Sequence, residues 1–290
     1  MFFGSIPALV TPFAAGRVDE ALFRDFVVWQ IDQGSDGLVP CGTTGEAATL
    51  TDAEHRRLIE IAVEVARGKV PVIAGCGSNN TAHAIELTRA ARDAGADAAL
   101  HVPPYYNRPN QDGIYAHLAA VAGEGIPIVL YNVPARTITD IAVETMAKLA
   151  ELPNVVAVKD ATGNLARISA QREACGADFV QLSGNDDMAL GFNAMGGVGC
   201  ISVTANVAPR LCSEFQKAMR DKRWDEALAL QDRLFPLHAA LFTDASPGPV
   251  KYALNKVRAD FPAELRLPMT EASAASKAAV DAALAHAGLI

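Results

Sequence analysis

Val155-Val156-Ala157-Val158-Lys159-Asp160-Ala161-Thr162-Gly163 sets four apolar residues, three of them β-branched, directly against a lysine, and Thr162-Gly163 then breaks the run. A short apolar run bounded by turn residues reads as a strand buried on both faces, the kind that parallel sheets use. Of the eight lysines in the chain, Lys159 alone closes an uninterrupted apolar strand. Burial disfavours an ammonium, so an amine at the carboxyl end of such a strand can lose its proton and attack a carbonyl. The plainer alternative is a lysine whose stem packs while its head reaches solvent.

Working outward from this strand, short apolar runs alternate with longer amphipathic segments. Strands are expected at 6–10, 37–40, 70–74, 98–102, 127–131, 155–159, 179–182 and 197–202. Helical periodicity fills the gaps at 19–33, 52–67, 80–94, 111–124, 139–151, 163–174, 186–195 and 207–220, with Asp19, Thr51, Asn80 and Thr139 as N-caps. Regular βα alternation implies a parallel sheet with right-handed crossovers, and eight such units close as a (β/α)8 TIM barrel. An open doubly wound sheet is disfavoured, because its first turn is Gly-rich and phosphate-binding, whereas here it is Thr11-Pro12-Phe13. The expected organisation is a barrel over 1–222 and an appended C-terminal helical region over 223–290, with helices at 223–242, 246–257 and 270–287 and Pro236, Pro247, Pro249, Pro262 and Pro268 near its breaks.

The totals narrow the function. A chain of 290 residues, half of them apolar, can bury a large core. Its net charge of −8 argues against nucleic acid as a partner, since phosphate binding needs a basic footprint. Five scattered cysteines without a CxxC pair argue against a disulfide framework or structural zinc and suit a reducing cytoplasm. No signal peptide is evident at Met1-Phe2-Phe3-Gly4, and no apolar run approaches the length of a membrane span. The six histidines form no HxH or HExxH spacing, so a metal site is not expected, and Asp186 and Asp187 are explained by helix capping.

In a barrel the chemistry gathers on the loops after the strands' carboxyl ends. After the second strand, Gly42-Thr43-Thr44-Gly45-Glu46 places two hydroxyls between glycines, where backbone amides can meet a carboxylate, although a tight βα turn with a Thr cap would look the same. No GxxxxGK[ST] accompanies it, which disfavours a nucleotide loop. Tyr131 ends the fifth strand, and Tyr105 and Tyr106 sit on a Pro-rich loop after the fourth. Such phenols can relay protons near a lysine, or simply plug the barrel mouth. Arg136 lies behind a stiffening proline and could grip a carboxylate, though a lone arginine is more often a solvated charge.

Gly42-Thr43-Thr44-Gly45-Glu46 with Glu54 downstream, and Tyr131-Asn132-Val133-Pro134 running on to Val158-Lys159-Asp160, resemble the two signatures of the Schiff-base lyase family of dihydrodipicolinate synthase and N-acetylneuraminate lyase. The resemblance is colinear from Ile6 to Thr270, and Arg136, Ser183-Gly184 and Ile201-Ser202-Val203-Thr204 fit its synthase branch. It implies a cytoplasmic carbon–oxygen lyase that joins pyruvate to L-aspartate 4-semialdehyde in the diaminopimelate route to lysine, without metal or organic cofactor. Lys159 would form the imine with pyruvate, and Tyr131, Thr44 and Tyr106 would relay protons. Thr43 would bind the pyruvate carboxylate and Arg136 that of the semialdehyde, with the backbone at Gly184 and Ile201 touching substrate and lysine. Tyr106 would reach into a neighbouring subunit of a homotetramer built as a dimer of dimers.

The same resemblance implies an effector pocket for lysine at His55, Asn79, Tyr105, His83 and Asp52. His83 stands where a glutamate is common, Asp52 where a histidine is, and Ala47 where a serine is, so weak or absent feedback inhibition is expected. Two other functions stay open from sequence: an N-acetylneuraminate lyase or another pyruvate-dependent sugar-acid aldolase, and a catalytically silent binding barrel.

Overall fold

The computed structural model describes residues 2–290. Strand β1 (Gly4–Pro7) is followed by a small antiparallel hairpin, β2 (Phe13–Ala14) and β3 (Arg17–Val18), and then by α1 (Glu20–Asp32) and α2 (Asp52–Ala66). Next come β4 (Ile73–Gly75), α3 (Thr81–Ala94), β5 (Ala98–His101), α4 (Gln111–Ala122), β6 (Ile128–Asn132), the single turn α5 (Pro134–Thr137) and α6 (Val143–Ala150). The pattern continues through β7 (Val155–Asp160), α7 (Ala166–Cys175), β8 (Val180–Ser183), α8 (Ala189–Ala194), β9 (Gly199–Ser202) and α9 (Pro209–Arg220). Three helices complete the chain: α10 (Trp224–Ala240), α11 (Gly248–Val257) and α12 (Ala274–Ala287).

Seven parallel strands run in the order β1-β9-β8-β7-β6-β5-β4. The stretch around Leu38-Val39 bridges the two free edges, pairing Val39 with Ala8 and Leu38 with Val72. The amides of Leu9 and Ile73 donate to the carbonyls of Val39 and Leu38, each at 2.9 Å. Expected at 37–40, this eighth stave is confirmed in place but shortened to isolated bridges. Pro40 cannot donate to a ladder, and a Cβ on Gly37 would press on Ile6 at 3.3 Å. The cylinder thus closes as a (β/α)8 barrel.

Side chains alternate across each strand, so one set fills the cylinder and the other faces the helices. Ile6, Val39, Ile73, Val129, Leu182 and Ile201 pack inside. On β7, Ala157 points inward with them, whereas Val158 joins the outer core and Asp160 binds Gln171 of α7. Lys159 shares the parity of Ala157 and therefore enters the barrel. The C-terminal helices are fused to the same outer core: Phe261 lies 4.9 Å from Phe26 of α1, and Leu234, Val250 and Val280 belong to that cluster.

Asp19, Thr51 and Asn80 cap α1, α2 and α3 as expected. Thr139 caps nothing: α6 starts at Val143 after Ala142, and the Thr139 hydroxyl bonds the carbonyls of Pro104 and Thr137. Pro236 lies inside α10 rather than at a break. Asp186 does not cap its own helix. Its buried carboxylate instead accepts from the Ser202 hydroxyl and from the amides of Val203 and Thr204, at 2.9 and 3.1 Å, and so ties down the end of β9. The hairpin at Phe13–Val18 carries no sequence expectation, because two-residue strands are too short to show a period.

Candidate active site

Lys159 is 5% exposed at the carboxyl end of β7, and its register partner on β6 is Tyr131. The Nζ atom sits 4.0 Å from the centre of the Tyr131 ring, a cation–π distance in a site largely removed from water. Behind the lysine the chain is held rigid. The Asp160 carboxylate accepts from the Thr162 amide at 2.8 Å, the Thr162 hydroxyl at 2.6 Å and the Gln171 amide group at 2.7 Å. Across the sheet Asn132, paired with Asp160, bonds Asp140 at 2.7 Å and the Ile141 amide at 3.1 Å. Neighbouring outward residues therefore anchor the strand ends from which Lys159 and Tyr131 point inward.

Gly184 follows β8 against the lysine. A Cβ built there would lie 3.1 Å from Lys159 Cε and 2.7 Å from Ala161 Cβ, so glycine leaves the room the lysine occupies.

The loop Cys41–Glu46 arches over the barrel mouth between two left-handed residues, Cys41 at φ 57° and Glu46 at φ 56°. Backbone strain at non-glycine positions of this kind collects where the surroundings over-determine the chain. The Glu46 amide donates to the Thr43 carbonyl at 3.1 Å, and the Thr11 hydroxyl donates to the Gly45 carbonyl at 2.7 Å. Gly75 lies directly beneath, where a Cβ would stand 2.2 Å from the Cys41 carbonyl oxygen. The amides of Thr43 and Thr44 have no protein acceptor among the described residues and so remain available to an anion.

A single cavity of about 750 Å³ brings together Lys159, Tyr131, Thr43, Thr44 and Arg136. Arg136, on α5, is exposed and forms no ion pair among the described residues. The same cavity runs on past Tyr105, Asp52, His55 and His83, so both sets of expected residues face one space. There His83 Nε2 lies 3.1 Å from Asp52 Oδ1, and its Nδ1 lies 3.3 Å from the Ser78 hydroxyl. His55 Nε2 donates to the Gly75 carbonyl at 2.7 Å, and burial holds its pKa below the ordinary histidine value.

Four expected residues do not line this cavity. Gly184 touches it only through Lys159, and Ile201 is fully buried within the barrel. Asn79 meets the Asn107 amide group through its carbonyl at 2.8 Å. Tyr106 projects away, 91% exposed, with a left-handed φ of 70°. Sequence reading missed the far wall, formed by Phe242, Asp244, Ser246, Pro247 and Met269 of the C-terminal segment. It also gave no role to Lys251, which is fully buried with its Nζ 2.6 Å from Glu46. No local pattern marks such residues, because their partners lie far away in the chain. Among the described residues, no group of three or more His, Cys, Asp or Glu could hold a metal, and no helix is long and apolar enough to cross a membrane.

A sheltered lysine beside a tyrosine, two threonines with unpaired amides and an unpaired arginine meet at the carboxyl mouth of a (β/α)8 barrel, where barrel enzymes carry their active sites. A model of the dihydrodipicolinate synthetase family matches residues 1–287. The 4-hydroxy-tetrahydrodipicolinate synthase of Rhizorhabdus wittichii is 67% identical over 290 residues, covering all of both chains. Among solved structures, the dihydrodipicolinate synthase of Aquifex aeolicus superposes with a TM-score of 0.96 at 43% identity, covering 99% of each chain. The chloride-inhibited enzyme of Acinetobacter baumannii, complexed with pyruvate, does so at 0.96 and 42%, covering all of both. The chain belongs to the dihydrodipicolinate synthetase family and is a lyase.

Proposed function

We propose that the protein condenses pyruvate with L-aspartate 4-semialdehyde through an imine on Lys159, in the diaminopimelate route to lysine. The observation that carries this reading is Lys159 itself: a buried primary amine facing the cavity, over Tyr131, with an unpaired arginine on the same wall. The Lys159 amine attacks C2 of pyruvate and water leaves, giving an imine that serves as an electron sink. A methyl proton is then lost to the hydroxyl relay of Tyr131, Thr44 and Tyr106, and the resulting enamine carbon attacks the aldehyde. The amino group of the semialdehyde closes onto C2 and expels the lysine, which returns free with the cyclic hydroxy acid. Every step moves protons and carbonyl electrons, chemistry that positioned side chains perform without a metal or organic cofactor.

Thr43 and the free loop amides bind the pyruvate carboxylate, and Arg136 binds that of the semialdehyde. The exposed, left-handed Tyr106 suits a residue that completes a neighbouring subunit's site, and the resemblance to the family implies a homotetramer assembled as a dimer of dimers as the working form. Borohydride reduction in the presence of pyruvate should add one reduced pyruvyl group to Lys159, and Lys159→Arg should abolish the adduct, because guanidinium stays protonated. Wild-type enzyme should form product from both substrates, and Arg136→Ala should raise KM for the semialdehyde by about tenfold or more. Absence of an adduct on position 159 would overturn the reading.

A further inference from the structure

We infer that the buried Glu46–Lys251 ion pair positions the catalytic hydroxyl loop, so that the C-terminal helices hold the active site from behind. The inference rests on the proposed roles of Thr43 and Thr44. Glu46 closes their turn: its amide binds the Thr43 carbonyl, and its backbone is left-handed. Its carboxylate has two long-range tethers, Lys251 Nζ at 2.6 Å from Oε1 and the Arg266 amide at 3.1 Å from Oε2. Lys251 is fixed in turn by the Glu264 carbonyl at 2.7 Å and lies 4.2 Å above the ring of Phe13. The two side chains are 0% and 1% exposed, and no other ion pair among the described residues has both partners so buried. A fully desolvated pair adds little net stability over apolar residues of the same volume, while breaking one side of it is strongly destabilising. What the pair does supply is geometry: a carboxylate with a single allowed place, and through it the position of the Thr43-Thr44 peptides. Glu46 borders the cavity, but its carboxylate is buried against Lys251, so the pair acts through the loop as positioning residues.

The test separates position from stability. Glu46→Gln/Lys251→Met removes both charges and keeps the volumes, so its melting temperature should stay within a few degrees of wild type. Its KM for pyruvate should nevertheless rise and its kcat fall, each by about tenfold or more, as expected when reacting groups are displaced by a fraction of an ångström. At saturating pyruvate, borohydride should still label Lys159 in the double variant, because the lysine is held independently on β7. Wild-type kcat and KM in the double variant would overturn the inference. A failure of wild-type enzyme to trap pyruvate would instead overturn the proposed function. If the double variant does not fold, Glu46→Asp gives the same reading, since aspartate keeps the charge and tolerates left-handed φ but retracts from Lys251. Reduced kcat measured well below the variant's melting temperature, where it is fully folded, then supports positioning, and unchanged kinetics refute it.

Discussion

At Lys159 the decisive neighbour is a side chain that is missing. Gly184 leaves the space in which the lysine's terminal carbons lie, and the Cβ of an alanine there would press on Cε from 3.1 Å and on Ala161 from 2.7 Å. The flexible lysine end can yield, and yielding moves the nucleophile. Gly184→Ala is expected to fold, lose about 1–3 kcal/mol as overpacked sites do, and trap pyruvate on Lys159 several times more slowly than wild type. Equal trapping rates would show that the amine has slack. A second residue-scale prediction concerns His83, which occupies Asp52 at 3.1 Å and Ser78 at 3.3 Å. An ammonium-bearing effector entering between them finds no glutamate at position 83 and must compete with His83 for Asp52. Initial rates with L-lysine added should therefore fall little across the range that matches substrate concentrations, and a steep inhibition curve would contradict this.

At the scale of elements, the strands that the sequence marked are those whose residues are set by local chemistry. β7 was legible because β-branched residues run unbroken into Lys159, and α2 because Thr51 and Glu54 form a capping box. In the box, the Thr51 hydroxyl accepts from the Glu54 amide at 3.3 Å, and the Glu54 carboxylate accepts from the Thr51 amide at 2.9 Å. The box also reaches across the molecule, for Glu54 grips the guanidinium of Arg266, which holds its carboxyl down at about 2. Thr51→Ala should cost about 1 kcal/mol in urea unfolding through the lost cap, with kcat nearly unchanged because the Arg266 contact remains. What sequence could not supply was set by distant partners. Thr139 resembled a cap, yet its hydroxyl is taken by Pro104 and Thr137. Lys251 resembled any helix lysine until the fold brought Glu46 to it. In the candidate site, Lys159, Tyr131, Thr44 and Arg136 could be named because each ends or follows a strand, whereas the wall from Phe242 to Pro247 could not, because no period connects it to the barrel.

For the molecule as a whole, acid should be the vulnerable direction, and the cause is four histidines buried in uncharged form. Burial lowers the pKa values of His55, His117 and His238 and takes that of His101 to about 3. Their partners explain why protonation finds no welcome. The Thr88 hydroxyl donates to the Ala84 carbonyl at 2.6 Å, so His101 Nε2, at 3.0 Å, must donate to Thr88. Its Nδ1 is buried with no partner, as is Nδ1 of His55, and a proton added at either would be a buried donor without an acceptor. Each histidine therefore refuses a proton that the unfolded chain accepts below its ordinary value of 6.5. The unfolded state binds more protons in that window, so stability rises with pH across it and falls as pH drops from about 6.5 towards 3, by on the order of 1 kcal/mol per pH unit for His101 alone. Glu54 adds to the loss by the same proton uptake, here neutralising a carboxylate that Arg266 keeps charged, its stabilisation disappearing as pH falls from 4.5 through about 2. Urea midpoints measured from pH 7 to pH 4.5 should decline steadily, and His101→Gln should decline less steeply whatever its stability at pH 7. A midpoint that stays level from pH 7 to pH 5 would mean that these histidines find acceptors or water when charged, and the neutral-core account of the fold's acid limit would fail.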